Sequence, residues 1–543
     1  MDVNSTYFHL AVISFLFLIT WSYILKLDAF LIDDEEGIKR FSDRFDDKSQ
    51  KVIDTYEHEE DNGKKITFKN SQFNPLCGMP GSTVRWLRIL WGRKWQQIGK
   101  NAKGHEVYGY VQSARRHHLL SFLIQYANVI LAYFFLSKIF GSTLAFYSVL
   151  LFICHPITTM SVAWISGIGY LTSLLFALIT FNLSFLISGQ TLIYSTVLTS
   201  YVSCAGLLSG FANWIILLYL GHKEAALASF LVSSFLMITY GKSTVAYRKK
   251  QFSDQNMEKS TRVNLRKPIV IVKTLYYYFS MLVFPKRLGL FHKWGYHFEE
   301  KLERIDLMFW KGLLSLGLLG FLAFTGPASV TFGIIWLLSY LILFSNVITA
   351  QQFVVDRYAF ISSLGFCIIV ATFISPYPFL FFPLLGIYLM RTWVHLPTFR
   401  SHIDFYESNI FNFPDSEVSY GNLGVVYSQH GKAGTAADIW NKALEINPHY
   451  DVPAYNLYSL FKSNGMLEMA KGYLQRCLNA KTVHFSQRWE QEMVELNKHI
   501  ELKKKVDDLN SKLNEAIKTG NLDAIPTLRE EIIKITTPPV KPA

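Results

Sequence analysis

The chain has 543 residues, half of them hydrophobic and only 17% charged, with 53 basic against 41 acidic side chains for a formal net charge of +12. A soluble domain carries charge on about a quarter of its residues, and several windows here exceed the roughly 18 apolar residues that mark a spanning helix. A soluble enzyme is excluded and a polytopic membrane protein is expected; the positive balance reflects loop bias and anionic lipid, with no nucleic-acid partner.

The first apolar segment runs from Tyr7 to Leu25. It lacks a basic n-region and a small-residue cleavage site, so it reads as a retained anchor. Directly after it come Asp33, Asp34, Glu35 and Glu36. Acids at the mouth of a membrane helix are costly near lipid, so they face water or a polar cavity. Asp33 and Asp34 are adjacent, which lets one carboxylate turn inward while its neighbour turns to solvent. A polar segment, residues 26–118, then interrupts the membrane region and reads as a large first outer loop. Within it Trp86, Trp91 and Trp95 alternate with Arg85, Arg88, Arg93 and Lys94, a composition that suits an interfacial helix on lipid headgroups.

Ten further apolar windows follow, at 119–140, 142–156, 163–187, 191–220, 223–241, 268–284, 308–325, 328–348, 357–374 and 376–394. The 191–220 window is broken by Gly206 and Gly210, which predicts a kink or a re-entrant piece. The loop from Lys242 to Lys267 is strongly basic and is therefore cytoplasmic. Counting spans in both directions from it puts the N-terminus inside and everything after Val394 outside. An all-α membrane domain of about 11 transmembrane helices is expected over residues 1–395.

Beyond the last span Tyr420, Leu423, Gly424, Tyr427, Ala436, Trp440, Ala443 and Pro448 match the tetratricopeptide (TPR) pattern, and a shift of about 34 residues gives Leu457, Phe461, Ala470 and Leu474. Residues 396–485 are expected to be TPR helical repeats, with a small Gly424 and Ala436 letting paired helices close over Tyr427 and Trp440. The remainder, 486–543, reads as a helical cap and tail, with Leu502, Val506, Leu509, Leu513 and Ile517 on one heptad-like face. Five scattered cysteines and no cluster of metal-ligand spacing predict neither a disulfide framework nor a metal.

If the sidedness holds, four polar groups meet on the outer face: Asp33 and Asp34; the His155-Pro156 turn; Lys286 and Arg287 with His292, Lys293 and Trp294; and Asp356, Arg357 and Tyr358. Acids near several cations at one membrane surface suit a phosphate-linked donor, with Arg or Lys on the phosphate and a carboxylate as base on the acceptor hydroxyl. Singly, each has a plainer account. His155-Pro156 ends a helix, Lys286 and Arg287 snorkel to lipid phosphates, Arg357 pairs with Asp356, Lys223 and Glu224 form a polar turn, and His105 is a solvated loop residue.

The ordered set of the DD pair, Asn74-Pro75-Leu76, His155-Pro156, Lys223-Glu224, the Pro285-to-Leu288 segment, Asp356-Arg357-Tyr358 and the terminal repeats resembles the transmembrane and TPR O-mannosyltransferases and their bacterial relatives, membrane glycosyltransferases of the GT-C fold. The resemblance covers roughly residues 5–480. It implies a GT-C-like bundle and protein O-glycosylation from a polyprenyl-phosphate sugar, mannose first, with no other cofactor. It also implies Asp33 or Asp34 as base, Arg357 and then Arg287 on the donor phosphate with Lys286 and Tyr358 beside them, and His155, His105, Lys223 and Glu224 as supporting pocket residues. The repeats would present an exported protein acceptor. Three positions depart from the family: Met160 stands where it carries an acid, Tyr108-Gly109-Tyr110 where it carries Tyr-Arg-Pro, and Gln125 where it carries His. A non-enzymatic membrane-anchored TPR scaffold and transfer to a lipid-linked glycan are the competing functions. Few paired cysteines favour a bacterial inner membrane over the endoplasmic reticulum.

Overall fold

The computed structural model describes residues 3–31, 55–59, 65–69, 91–100, 106–202, 209–235, 268–290, 292, 304–345, 354–479 and 486–536. The chain divides into two compact units, one of Met1–Lys250 with Glu258–Ser419 and one of Gln251–Met257 with Tyr420–Ala543.

The first unit is a helical bundle. Its elements in order are α1 (Val3–Trp21), β1 (Thr55–Glu59), β2 (Lys65–Lys69), β3 (Arg93–Lys100), β4 (Glu106–Gln112), α2 (Ala114–Phe140), α3 (Ser142–Cys154) and α4 (Thr159–Ala163). There follow α5 (Ile168–Leu183), α6 (Gly189–Val202), α7 (Ser209–Tyr219), α8 (223–235), α9 (Pro268–Val283), α10 (Leu307–Thr325), α11 (Ala328–Leu341), α12 (Phe360–Ile374), α13 (Pro378–His395) and α14 (His402–Asn412). Among the described residues six helices are long and apolar enough to cross a membrane: Asn4–Lys26, Ala114–Phe140, Ile165–Leu183, Leu307–Thr325, Asp356–Ile374 and Pro378–Phe399. The pair Ser142–Cys154 and Pro156–Ala163, bent by 56°, is a broken span or a re-entrant loop, and makes a seventh if it is one span. The bend sits where Pro156 has no N–H to continue the ladder. Gly210–Tyr219, Pro268–Val283 and Ala328–Leu341 are shorter apolar helices.

Helices meet most closely where a side chain is missing. An added Cβ on Gly365 of α12 would lie 2.6 Å from the Gly333 carbonyl oxygen and 2.7 Å from the Leu337 nitrogen of α11. Gly210 of α7 packs directly on Ser233 of α8 and its carbonyl accepts from Ser229 Oγ at 3.0 Å, the small-residue contact of lipid-embedded helices. By contrast α10 is only 6% buried and touches α9 through Gly312 against Val272. At its N-terminus Asp306 caps the helix and pairs with the buried Lys273 ammonium at 2.8 Å. Burial works against Asp306 ionisation, but Lys273 and the capped N–H outweigh it and hold the carboxyl below its usual range. The pair is thus intact at neutral pH and weakens as pH falls through that lowered value.

Two elements correct the sequence reading. The all-helical description fits the bundle, but the first loop adds two antiparallel hairpins, β1 with β2 and β3 with β4. The Arg85–Trp95 run, expected as an interfacial helix, is helical at Trp91 and Gly92 and enters strand β3 at Arg93, in register with Gln112, with Trp95 in register with Tyr110. Residues 85–90 lie outside the described residues.

The second unit is built of paired helices: α15 (Glu417–Gln429, whose first turn belongs to the first unit), α16 (Ala433–Ile446), α17 (Asp451–Ser463), α18 (Leu467–Asn479), α19 (Ser486–Thr519) and α20 (Ala524–Thr536). The turns of the first two pairs are the same. Gly431 (φ 74°) and Gly465 (φ 70°) are left-handed, and Lys432 N–H bonds to Tyr427 O as Met466 N–H bonds to Phe461 O, the glycine stop of a helix C-terminus. Trp440 lies on Gly424, with its indole N–H on Gly421 O at 3.0 Å. Ala436, Trp440, Leu457, Ala470, Leu474 and Cys477 form one core, closed by Trp489, Leu496 and Ile500 of α19. The face read from the tail packs in its middle: Leu509 is buried and Val506 and Leu513 are half-buried, with Ala516 continuing the stripe, whereas Leu502 and Ile517 at its ends are exposed.

Burial in this core pushes the Cys477 thiol up to about 12 from 9.0. Its thiolate at neutral pH is therefore scarcer by about three decades than at an exposed cysteine. Site-resolved iodoacetamide labelling is expected to leave Cys477 unmodified in the folded protein and to modify it fully in denaturant. Rapid labelling of the folded chain at Cys477 would show that this core is open.

Candidate functional site

The helix ends α1, α2, α4, α9, α12 and α13 bring the polar groups together at one end of the bundle. After α1 the 3-10 turn Ser22–Lys26 leads to an extended stretch that ends at the buried Leu31. Phe30 packs on Ala114 and Ile165, and its ring lies 5.9 Å from that of His117. The Leu31 carbonyl accepts the indole N–H of Trp164 at 3.3 Å. Over the face of that same indole lies the Arg357 guanidinium, 4.6 Å from the ring centroid, a cation–π contact. Tyr358 extends the aromatic wall by stacking on Phe344 at 4.7 Å. The chain just before the acidic pair is thereby fixed beside Arg357. Asp33, Asp34 and His105 lie outside the described residues, as do Lys293 and Trp294.

The hydrogen bonds of Asp356 go to partners other than Arg357, whose charge nonetheless acts on it. Asp356, 1% exposed, bonds through Oδ1 to His292 Nε2 at 2.8 Å and through Oδ2 to Gly289 N–H at 2.6 Å. A buried carboxylate needs such donors, since desolvation without them is expensive. His155 is likewise committed. Its Nδ1 accepts from Ile157 N–H at 3.3 Å, and Nε2 therefore carries the proton that it donates to Leu282 O at 2.9 Å. The ring packs 4.6 Å from Tyr388. His155 thus pins the bent span to α9 and α13.

Lys286 and Arg287 are exposed. They line an open cleft of about 580 Å³ together with Arg391, Phe284, Ile387 and Phe411. Three cations on an apolar wall, at the end of membrane-length helices, suit an anionic head on an apolar tail. Lys223 and Glu224 are exposed beyond the turn made by Gly221 (φ 85°), and no hydrogen bond or ion pair among the described residues joins them to Arg357 or to the cleft. Among the described residues no group of three His, Cys, Asp or Glu side chains could hold a metal.

No protein-family model matches the chain, and no curated protein matches it. Function has to be inferred from the site itself.

Trp164 and Arg391 join the site without having been singled out in the sequence, and Gln125, noted there only as a departure from the resembled family, lies on a buried polar face of α2 with His118, Ser121 and Asn128. Their spacing of three, four and three residues places them on one helical stripe. That stripe, and a lone arginine in the last span, were signals open to a reading of the sequence. Asn128 reaches across to Leu171 O at 3.0 Å and joins α2 to α5.

Proposed function

We propose that the chain is a GT-C-like membrane glycosyltransferase that moves a sugar, mannose first, from a polyprenyl-phosphate donor to Ser or Thr hydroxyls of an exported protein. The observation that carries this reading is the Leu31–Trp164–Arg357 contact. Asp33 follows Leu31 by two residues, a reach of about 7 Å at full extension, so a carboxylate base and a phosphate-binding cation are available to one ligand. Asp33 or Asp34 takes the proton of the acceptor hydroxyl. The hydroxyl oxygen bonds to the anomeric carbon as the bond from that carbon to the phosphate oxygen breaks. The electron pair leaves with the lipid phosphate, where Arg357, with Lys286 and Arg287 on the neighbouring segment, stabilises the developing charge.

The paired helices of the second unit, with their two like glycine turns 34 residues apart, support TPR repeats that bind the acceptor. The eleven-span reading, which needs α8 beside the six long helices, the bent pair and the three shorter apolar helices, would put the N-terminus in the cytoplasm and the repeats outside, in a bacterial inner membrane.

The test is turnover of polyprenyl-phosphate mannose by the purified full chain, read by mass. Asp33→Asn/Asp34→Asn is expected to abolish transfer and leave thermal unfolding unchanged; transfer retained by the double variant would sink the mechanism. The second reading, a non-enzymatic scaffold, draws on Met160. Where the resembled family carries an acid, this chain has a thioether with 1% exposure. Silence of the wild type with mannose and glucose donors, alongside retained binding of an exported protein, would favour the scaffold.

A further inference from the structure

Residues 285–290 form no helix or strand, yet side chains from three helices and a neighbouring histidine hold their backbone. Arg391 of α13 donates from Nε to Pro285 O at 3.1 Å and from Nη2 to Lys286 O. Asn412 of α14 donates to Leu288 O at 3.0 Å, and Asn409 accepts from Leu290 N–H at 2.9 Å. Asp356, ahead of α12, accepts from Gly289 N–H. Gly289 packs so closely on Asn409 that a Cβ there would strike its side-chain oxygen.

The centre of this arrangement is His292, which is 4% exposed. Its Nε2 faces two acceptors, Asp356 Oδ1 at 2.8 Å and Gly289 O at 2.9 Å, so that nitrogen carries a proton. Its Nδ1 lies 2.8 Å from the Tyr277 hydroxyl, and Phe413 covers the ring at 4.5 Å. Connecting segments are ordinarily among the more mobile parts of a fold. Here ordering is achieved before any ligand arrives, with a buried carboxylate where apolar packing alone would be cheaper. What the arrangement delivers is a fixed direction for Lys286 and Arg287 at the cleft, since preorganisation removes an ordering cost from binding.

We propose that His292, Asp356 and Asn409 are positioning residues: they hold the strap 285–290 so that Lys286, Arg287 and Arg391 grip the phosphate of a lipid whose tail lies on Phe284, Ile387 and Phe411. The proposal rests on the functional reading above only in taking the headgroup to be a phosphate, and binding of a probe lipid needs no turnover, so the two fail separately.

The experiment uses the full chain in nanodiscs, with dioleoyl phosphatidic acid as probe and dioleoyl phosphatidylcholine as control, read by native mass spectrometry. Wild type retains phosphatidic acid selectively, and Lys286→Ala/Arg287→Ala loses that selectivity. His292→Ala weakens phosphatidic acid binding by about tenfold and leaves the control lipid unchanged, while His292→Gln, whose amide can still donate to Asp356, restores most of it. Asn409→Ala, which leaves the Asp356–His292 pair in place, gives a smaller loss of about threefold and serves if His292→Ala does not fold. Unchanged selectivity in folded His292→Ala or Asn409→Ala, with selectivity lost in the Lys286/Arg287 variant, would overturn the positioning role. Unchanged selectivity in the Lys286/Arg287 variant itself would overturn the cleft as the phosphate site. Millimolar inorganic phosphate is expected not to displace phosphatidic acid; displacement would overturn the lipid assignment in favour of a free phosphate.

Discussion

Replacing Arg357 with Gln is expected to slow sugar transfer by about 10²–10³-fold, the range for removing one preorganised donor from a developing negative charge. The guanidinium sits 4.6 Å over Trp164, and Trp164 in turn holds the Leu31 carbonyl. Gln keeps a polar group of similar reach but loses both the charge and the attraction to the ring. The effect should therefore fall on kcat, where the phosphate charge develops, more than on KM. Arg357→Lys restores charge without the planar fork, and recovery of only part of the rate is expected. Turnover of the lipid-linked sugar, with thermal unfolding measured beside it, decides. Wild-type turnover in a folded Arg357→Gln protein would remove Arg357 from the chemistry.

Gly365→Ala is expected to destabilise the bundle by about 1–3 kcal/mol, the usual cost of overpacking. Alanine is the better helix former by about 1 kcal/mol, so the sign depends on what the new methyl group meets. It meets backbone: the Gly333 carbonyl 2.6 Å away and the Leu337 nitrogen 2.7 Å away. A flexible side chain could yield there; two packed helices cannot without separating. Gly317 and Gly320 on α10 are the controls, since a Cβ at either meets nothing within 4 Å, and Ala there should hold or raise stability. Thermal unfolding in detergent compares the three. A Gly365→Ala protein as stable as Gly317→Ala would mean that α11 and α12 do not cross at these glycines.

What could be read in the sequence followed from local composition. Apolar windows yield membrane-length helices, Pro156 yields the bend, and the Gly424–Trp440 spacing yields the paired helices of the second unit. What could not be read depends on which distant residues meet. His292 and Asp356 both stood in the list of polar groups, yet nothing in their spacing pairs them across 64 positions; Arg357 was the nearer candidate for Asp356 and lies on Trp164 instead. The resemblance to the glycosyltransferases made His155 a pocket residue. Only the fold discloses that both its nitrogens are used. In the tail the middle of the heptad-like face, at Val506, Leu509 and Leu513, is covered and its ends at Leu502 and Ile517 are not, because only the fold shows how far a neighbouring helix runs along it.

The last membrane-length helix ties the site's end of the bundle together. Trp393 donates to Ile19 O of α1 at 3.2 Å, Thr392 to Cys154 O of α3 at 2.8 Å, and Tyr388 to Leu282 O of α9 at 3.3 Å. These partners are separated by 374, 238 and 106 residues. A ribosome makes α1 first and α13 late, and domains form as their segments emerge. The early helices can therefore insert and pair long before this end is closed. Until α13 arrives, Arg391 is not there to hold the strap, and the donors that Trp393, Thr392 and Tyr388 bring to α1, α3 and α9 are missing. A nascent chain halted before Pro378 therefore lacks every one of these ties between α1, α3, α9 and the strap.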